Sequence, residues 1–317
     1  MSKPDMLLVG TATQRMLDQL GEHFTVHAPA LEDRDAVLAE RGGDFTYLLA
    51  NGHGGVPGAL MGQLPNLKII SSYGVGYDAV DVGTAVPRGI VVTHTPGVLN
   101  DEVANTAIML LLTTARNFVA DNAYLHAGRW ATEGNAPLST GIAGLKVGIL
   151  GLGRIGLATA QKLAVFGVDI VYHGRSKRDV PYAYYPDLTE MARDVDVLIS
   201  VAPGGAATQG IINRQVMDAL GPQGILINIG RGSVVDEPAL IAALQEGRLG
   251  RAGLDVFDKE PNVPADLMAL ENATLLPHVG SATFETRQAM GDLCVENLTA
   301  FLATGKAVTP VPECSDL

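Results

Sequence analysis

The chain of 317 residues is longer than one hydrophobic core usually serves, which points to two domains of ordinary size. Hydrophobic residues at 47% against 18% charged exclude a disordered chain, and a net charge of -12 repels nucleic acid and anionic membranes at long range. Any anionic ligand must therefore be held by a local basic site. Cys294 and Cys314 are too few for a disulfide framework or a cysteine zinc site, so no metal is expected and a reducing compartment suits the chain. The first residues lack the apolar core of a secretory signal, and the most apolar stretch, 107–112, is far shorter than a membrane span. A soluble cytoplasmic protein is expected.

Short apolar runs at 6–9, 47–50, 68–71 and 90–93 alternate with segments of helical period such as 14–20, the pattern of a doubly wound parallel sheet. Asn100 suits an N-cap, Asp101 and Glu102 suit the positive helix end, and the helical pattern then runs to about Phe118. Residues 122–141 hold Gly128, Gly134, Pro137 and the only tryptophan, Trp130, without strand periodicity, and read as an arm or inter-subunit segment. A second alternating series at 146–150, 168–173, 195–200, 225–229, 252–256 and 274–276 is the better candidate for a Rossmann domain. The last helical stretch, 283–304, is expected to return to the first domain. The fold class is thus α/β with two doubly wound parallel-sheet domains, one of residues 1–98 plus 288–317 and one of 99–287.

The apolar strand ending at Leu150 runs into Gly151, Leu152, Gly153, Arg154, Ile155 and Gly156, and a helical pattern follows. In a Gly-x-Gly-x-x-Gly turn the glycines permit the tight turn, close approach of backbone to phosphate, and close packing of helix on strand. Backbone N–H groups at the helix start then face a dinucleotide pyrophosphate, where the helix dipole favours negative charge. Forms that prefer NAD carry a carboxylate about 20 residues further on, for the adenosine ribose. Here Gly174 stands near that place, followed by Arg175, Ser176 and Lys177. These groups suit a 2'-phosphate, each charge-assisted hydrogen bond contributing about 1.5–3 kcal/mol, so NADP is expected, with NADPH preferred over NADH.

Reduction of a 2-oxo acid needs a cation for the substrate's carboxylate and carbonyl, and a proton donor for the developing alkoxide. Arg231 follows the apolar strand 225–229, where open α/β sheets bind ligands, and a guanidinium there can grip a carboxylate by two bonds. His278 follows another strand, and imidazole ordinarily titrates near neutrality, which suits a general acid. Glu260 would stabilise the imidazolium if it lies beside that ring.

In sum these motifs resemble the D-2-hydroxyacid dehydrogenase family, specifically its NADPH-using glyoxylate/hydroxypyruvate and hydroxyphenylpyruvate reductases. The matching segments are 72–78, 95–103, 151–156, 228–236, 253–261 and 276–281, which span nearly the whole chain. The resemblance implies a flavodoxin-like substrate domain beside a Rossmann dinucleotide-binding domain. It implies that Arg231 binds and polarises the 2-oxo acid, His278 donates the proton and Glu260 orients the histidine. It places Val75 and Gly76 at the substrate carboxylate, Asp255 near the nicotinamide carboxamide, and Pro203 and Thr208 along the cofactor, with Ile229, Arg231, His278 and Gly280 also facing it. Gly204 and Gly205 depart from the commoner leucine-rich form of that loop. It further implies a homodimer formed through the arm at about 120–141, from which Trp130 would reach the partner's site. Asn51 joins the substrate set, and Gly52, His53, Tyr73 and Trp130 are candidates to shape the pocket.

The expected function is an NADPH-dependent reductase of glyoxylate or hydroxypyruvate, giving a 2-hydroxy acid of D type. A reductase of aromatic 2-oxo acids such as hydroxyphenylpyruvate is the alternative. Phosphoglycerate dehydrogenase fits less well, because it normally prefers NAD. From a different class, a dinucleotide-sensing corepressor or scaffold built on the same fold would bind NADPH without turning over any 2-oxo acid.

Overall fold

The computed structural model describes residues 2–51 and 55–317, so the sequence-level candidates Gly52 and His53 lie outside the described residues. The chain divides into two compact units, one of Met1–Leu99 with Ala282–Leu317 and the other of Asn100–Ser281.

The first unit is built on strands β1 (Asp5–Val9), β2 (Thr25–His27), β3 (Tyr47–Asn51), β4 (Ile69–Tyr73) and β5 (Val91–Thr93). They pair in parallel in the order β2-β1-β3-β4-β5, the flavodoxin order. β1, β3 and β4 are buried over most of their length, as strands covered by helices on both faces must be; β1 and β3 therefore read as near-continuous apolar runs, while β4 also buries Ser71 and Ser72. β2 has no such run. It is a short edge strand with an exposed first residue, and only its pairing with β1 makes it a strand. The helix Gln14–His23 begins where the Thr13 side chain accepts a hydrogen bond from the Met16 N–H, and it buries Met16 and Leu20. The helix Phe284–Thr304 packs on β4 within this unit and buries Cys294 and Leu298.

The second unit holds β6 (Lys146–Leu150), β7 (Asp169–His173), β8 (Ala183–Tyr185), β9 (Val197–Ser200), β10 (Ile225–Asn228), β11 (Arg251–Leu254) and β12 (Ala273–Leu275). All pair in parallel in the order β12-β11-β10-β9-β6-β7-β8, the Rossmann order extended by a seventh strand. The chain order reverses between β6 and β9. At such a switch point loops leave neighbouring strands in opposite directions and open a crevice at the carboxyl ends. β8 is another edge strand that its own composition hides.

The helix Asn100–Ala115 packs on the helix Arg154–Leu163 and against β10 and β11. It differs from expectation at both ends. Asn100 is its first residue, and the Asn100 Oδ1 accepts no hydrogen bond, so it does not cap the helix. At the other end Asn117 adopts a left-handed φ of 53°, which breaks the helix at Ala115 and starts a second one, Phe118–His126, at a new angle. Arg129–Glu133 forms a further turn, so much of the expected arm is helical. Among the described residues no single helix is long and apolar enough to cross a membrane. The bent pair Asn100–Ala115 and Phe118–His126 reaches that length and composition together, but the first of them buries nine side chains in the unit's core.

One contact fixes how closely the helix Asn100–Ala115 approaches the sheet. A Cβ on Gly253 of β11 would lie 2.7 Å from the Thr114 Oγ1 and 2.8 Å from the Ile227 Cδ1. Gly253→Val should therefore lower stability by about 1–3 kcal/mol through overpacking. A urea midpoint equal to that of the wild type would refute this account of the packing.

Candidate active site

The glycine loop sits at the switch point, and each of its glycines meets a different constraint. Gly151 has φ of 93°, and a Cβ there would also lie 3.1 Å from the backbone of Ala202. Gly156 admits no side chain, because its Cβ would lie 2.2 Å from the Gly151 carbonyl oxygen. Gly153 has no heavy atom within 4 Å of its Cβ position and begins the helix Arg154–Leu163 without a side-chain cap. Open space at the middle glycine, beside an uncapped helix start, fits an arriving pyrophosphate. Leu152 is buried, Ile155 half-buried and Arg154 exposed along this turn.

At the end of β7 the basic segment is exposed but not slack. The Tyr172 hydroxyl is buried and accepts the Arg178 N–H at 2.7 Å, while the Tyr184 hydroxyl donates to the Gly174 carbonyl at 3.2 Å. His173 Nδ1 lies 2.9 Å from the Tyr185 carbonyl. Gly174, Arg175, Ser176 and Lys177 are thus held between anchored ends. Arg178, which sequence reasoning did not select, donates its guanidinium to the Leu152 carbonyl and ties the basic segment to the glycine loop. An arginine one position beyond three polar residues gives no sequence signal of that role.

Arg231, the Asp255–Glu260 segment and His278 follow β10, β11 and β12, which are neighbours in the sheet. The His278 Nδ1 lies 2.6 Å from Glu260 Oε2, and Glu260 Oε1 accepts the Phe257 N–H at 3.0 Å, so the carboxylate is fixed at both oxygens. Gly232, next to Arg231, packs on that same segment, since its Cβ would lie 1.8 Å from the Phe257 carbonyl carbon. A continuous series of contacts therefore runs from the Arg231 loop through Phe257 and Glu260 to the His278 ring.

The ring is carried on an unusual backbone. His278 has φ of 54°, a left-handed conformation that costs a residue with a side chain about 1–2 kcal/mol. Asp255 holds it there. Its Oδ1 accepts the Val279 N–H at 2.7 Å and its Oδ2 the Gly280 N–H at 2.8 Å, from a side chain 1% exposed. Burial pushes the Asp255 carboxyl above the usual carboxylate value, against the lowering effect of those two bonds.

The Ile229 N–H donates to the Ser200 carbonyl, and the 203–208 turn closes on itself through a Thr208 hydroxyl bond of 2.6 Å to the Pro203 carbonyl. Asn51, Val75 and Gly76 lie in the first unit, at or just beyond the carboxyl ends of β3 and β4. There the Asn51 Nδ2 donates to the Thr11 hydroxyl at 3.1 Å, and the Val75 carbonyl lies 2.8 Å from His94 Nδ1. The Tyr73 hydroxyl is committed to the Arg287 carbonyl at 2.8 Å. Trp130 is 61% exposed, with its Nε1 donating to Asn135.

A raised carboxyl value means that the folded state keeps its proton where the unfolded chain has lost it. Stability contributed through Asp255 then declines as pH rises from the usual carboxylate value to the raised one. Relative to Asp255→Asn, the wild type should lose unfolding free energy across that interval, as followed by urea unfolding at a series of pH values. An unchanged difference across the interval would count against the burial account.

Comparison with known proteins agrees with this architecture. Residues 108–280 match the family model described as D-isomer specific 2-hydroxyacid dehydrogenase, NAD binding domain. The chain is 46% identical over 280 residues to a glyoxylate/hydroxypyruvate reductase A of Arabidopsis thaliana, covering 88% of this chain and 89% of that one. It is 47% identical over 284 residues to a hydroxyphenylpyruvate reductase of Plectranthus scutellarioides, covering 89% and 90% respectively. The crystal structure of an NADPH-dependent glyoxylate/hydroxypyruvate reductase from Sinorhizobium meliloti, in complex with NADP and malonate, superposes with a TM-score of 0.95 at 48% identity, over 99% of this chain and 98% of that one. With its two parallel sheets, its glycine loop and its strand-end Arg, Glu and His, the chain belongs to the D-isomer specific 2-hydroxyacid dehydrogenase family.

Proposed function

We propose that the protein is an NADPH-dependent reductase of small 2-oxo acids, acting on glyoxylate and hydroxypyruvate and forming the 2-hydroxy acid of D type. The observation that carries the reaction is the 2.6 Å pair of His278 Nδ1 and Glu260, one strand away from the Arg231 loop. Bound NADPH supplies the hydride that reduces the carbonyl carbon. Arg231 binds the substrate carboxylate and polarises the carbonyl, and a planar guanidinium does both better than an ammonium. With Nδ1 turned to Glu260, the His278 Nε2 delivers the proton to the developing alkoxide, and the carboxylate stabilises the imidazolium before transfer. Asn51 and the backbone at Val75 and Gly76 hold the acid end of the substrate, which makes the first unit the substrate domain. Pro203, Thr208, Ile229, Asp255 and Gly280 line the cofactor.

The cofactor preference rests on the end of β7. The family model is described for NAD, yet Gly174 stands where an NAD-binding carboxylate belongs, and Arg175, Ser176 and Lys177 follow on an anchored segment. The S. meliloti reductase, 48% identical, was crystallised with NADP. The protein should oxidise NADPH with glyoxylate or hydroxypyruvate much faster than NADH. Arg175→Ala should raise the KM for NADPH about 10- to 100-fold, the loss of one charge-assisted bond, and leave that for NADH nearly unchanged. Equal use of both cofactors by the wild type would sink this assignment. Arg231→Ala and His278→Ala should each lower kcat/KM by about 100-fold or more.

The likeness to a hydroxyphenylpyruvate reductase supports a second reading, an aromatic 2-oxo acid as substrate. A kinetic panel of 2-oxo acids separates the two. NADPH binding without turnover of any of them would favour a sensing role instead. The exposed Phe118, Val119, Leu125 and Leu138 support a homodimer formed through the arm, with Trp130 reaching the partner's site. Two free thiols, Cys294 and Cys314, suit a reducing compartment such as the cytoplasm. Sedimentation equilibrium checks the dimer.

A further inference from the structure

We infer that Asn228 is a positioning residue for the reduction, acting through the Arg231 loop. The inference rests on the reading that Arg231 holds the 2-oxo acid. Asn228 is the last residue of β10, fully buried, and its own carbonyl accepts the Asp255 N–H at 3.0 Å, so its backbone belongs to the sheet. Its side chain reaches forward over the turn. Oδ1 accepts the Gly230 N–H at 3.1 Å and Nδ2 donates to the Arg231 carbonyl at 2.9 Å.

Those two backbone groups bracket residues 230 and 231. One side-chain amide therefore fixes the torsions that aim the arginine, which is extended at φ -141° and ψ 143°. The need for such a clamp comes from the glycines on either side. A Cβ on Gly230 would lie 2.4 Å from the Ala202 carbonyl oxygen, and one on Gly232 would lie 1.8 Å from the Phe257 carbonyl carbon. The loop passes between two backbones with no room for side chains, so glycine is required there. Glycine also brings conformational freedom, and the Asn228 amide removes it. The guanidinium follows the loop, because Arg231 Nη1 donates to the Gly230 carbonyl at 2.8 Å. A carboxylate at 228 offers no donor to the Arg231 carbonyl, and an aliphatic side chain offers neither bond.

A double-mutant cycle in the full-length protein tests this. Steady-state kcat/KM for glyoxylate and the NADPH dissociation constant, from the fluorescence of the bound nicotinamide, are measured for the wild type, Asn228→Ala, Arg231→Lys and the double variant. Asn228→Ala should lower kcat/KM about 10- to 100-fold, as expected for a displaced binding group, chiefly through KM. Its NADPH dissociation constant should stay within about twofold of the wild type. Added to Arg231→Lys, the same change should cost less than about threefold, because the group it aims has already been replaced. Equal losses in both backgrounds, or a parallel weakening of NADPH, would overturn the positioning role while leaving the assignment of Arg231 intact. A full-activity Arg231→Lys would overturn that assignment and the inference together. Should Asn228→Ala fail to fold, Asn228→Ser repeats the cycle with the same outcomes decisive.

Discussion

The site depends on one buried carboxylate. Asp255 accepts the two N–H groups that follow His278, and without it the histidine has no reason to keep a left-handed backbone. Those two bonds offset a conformation that costs about 1–2 kcal/mol, and burial of the acceptor subtracts from what they contribute. What is gained is direction. An extended backbone at 278 would send the ring elsewhere, whereas the left-handed one brings it to Glu260. Burial of the carboxylate works against its ionisation, so the same group that orders the site opposes stability as pH rises.

From Asp255 the order spreads along the carboxyl edge of the second sheet by short steps. Each step is a contact that leaves little freedom: Asp255 to the His278 turn, His278 to Glu260, Glu260 to the Phe257 N–H, and Phe257 to the glycine beside Arg231. Every residue of this series lies within six positions of the end of β10, β11 or β12. Rigid strands thus supply the precision, and the loops are too short to lose it.

This shortness explains what was legible in the sequence. Arg231 and His278 stood out because each follows an apolar run, and the glycine loop because a buried strand and a helical period flank it. The buried central strands announced themselves by composition. The edge strands β2 and β8 did not, since half-exposed residues carry no period, and their pairing partners are what define them. The break at Asn117 was hidden because the apolar pattern continues across it, and a single left-handed residue is invisible to periodicity. Asp255 and Asn228 were visible as members of motifs, but their hydrogen bonds join groups that only the folded backbone brings into range.

Reaction and selectivity are built differently in this protein, and that difference separates them. The groups assigned to chemistry follow strand ends and are joined through partly buried contacts, where a substitution disturbs its neighbours. The groups assigned to cofactor choice, Arg175, Ser176 and Lys177, are exposed, and the segment is anchored at its ends by Tyr172, Tyr184 and Arg178. Its shape thus comes from two tyrosine hydroxyls, that of the buried Tyr172 and that of the half-buried Tyr184, and from backbone, and its charge from exposed side chains. Charge can then change without altering the shape that presents it, while the shape is protected by residues that contact no part of the chemistry. On the proposed assignment, such a division lets one scaffold keep a fixed reduction site while the end of β7 selects the dinucleotide.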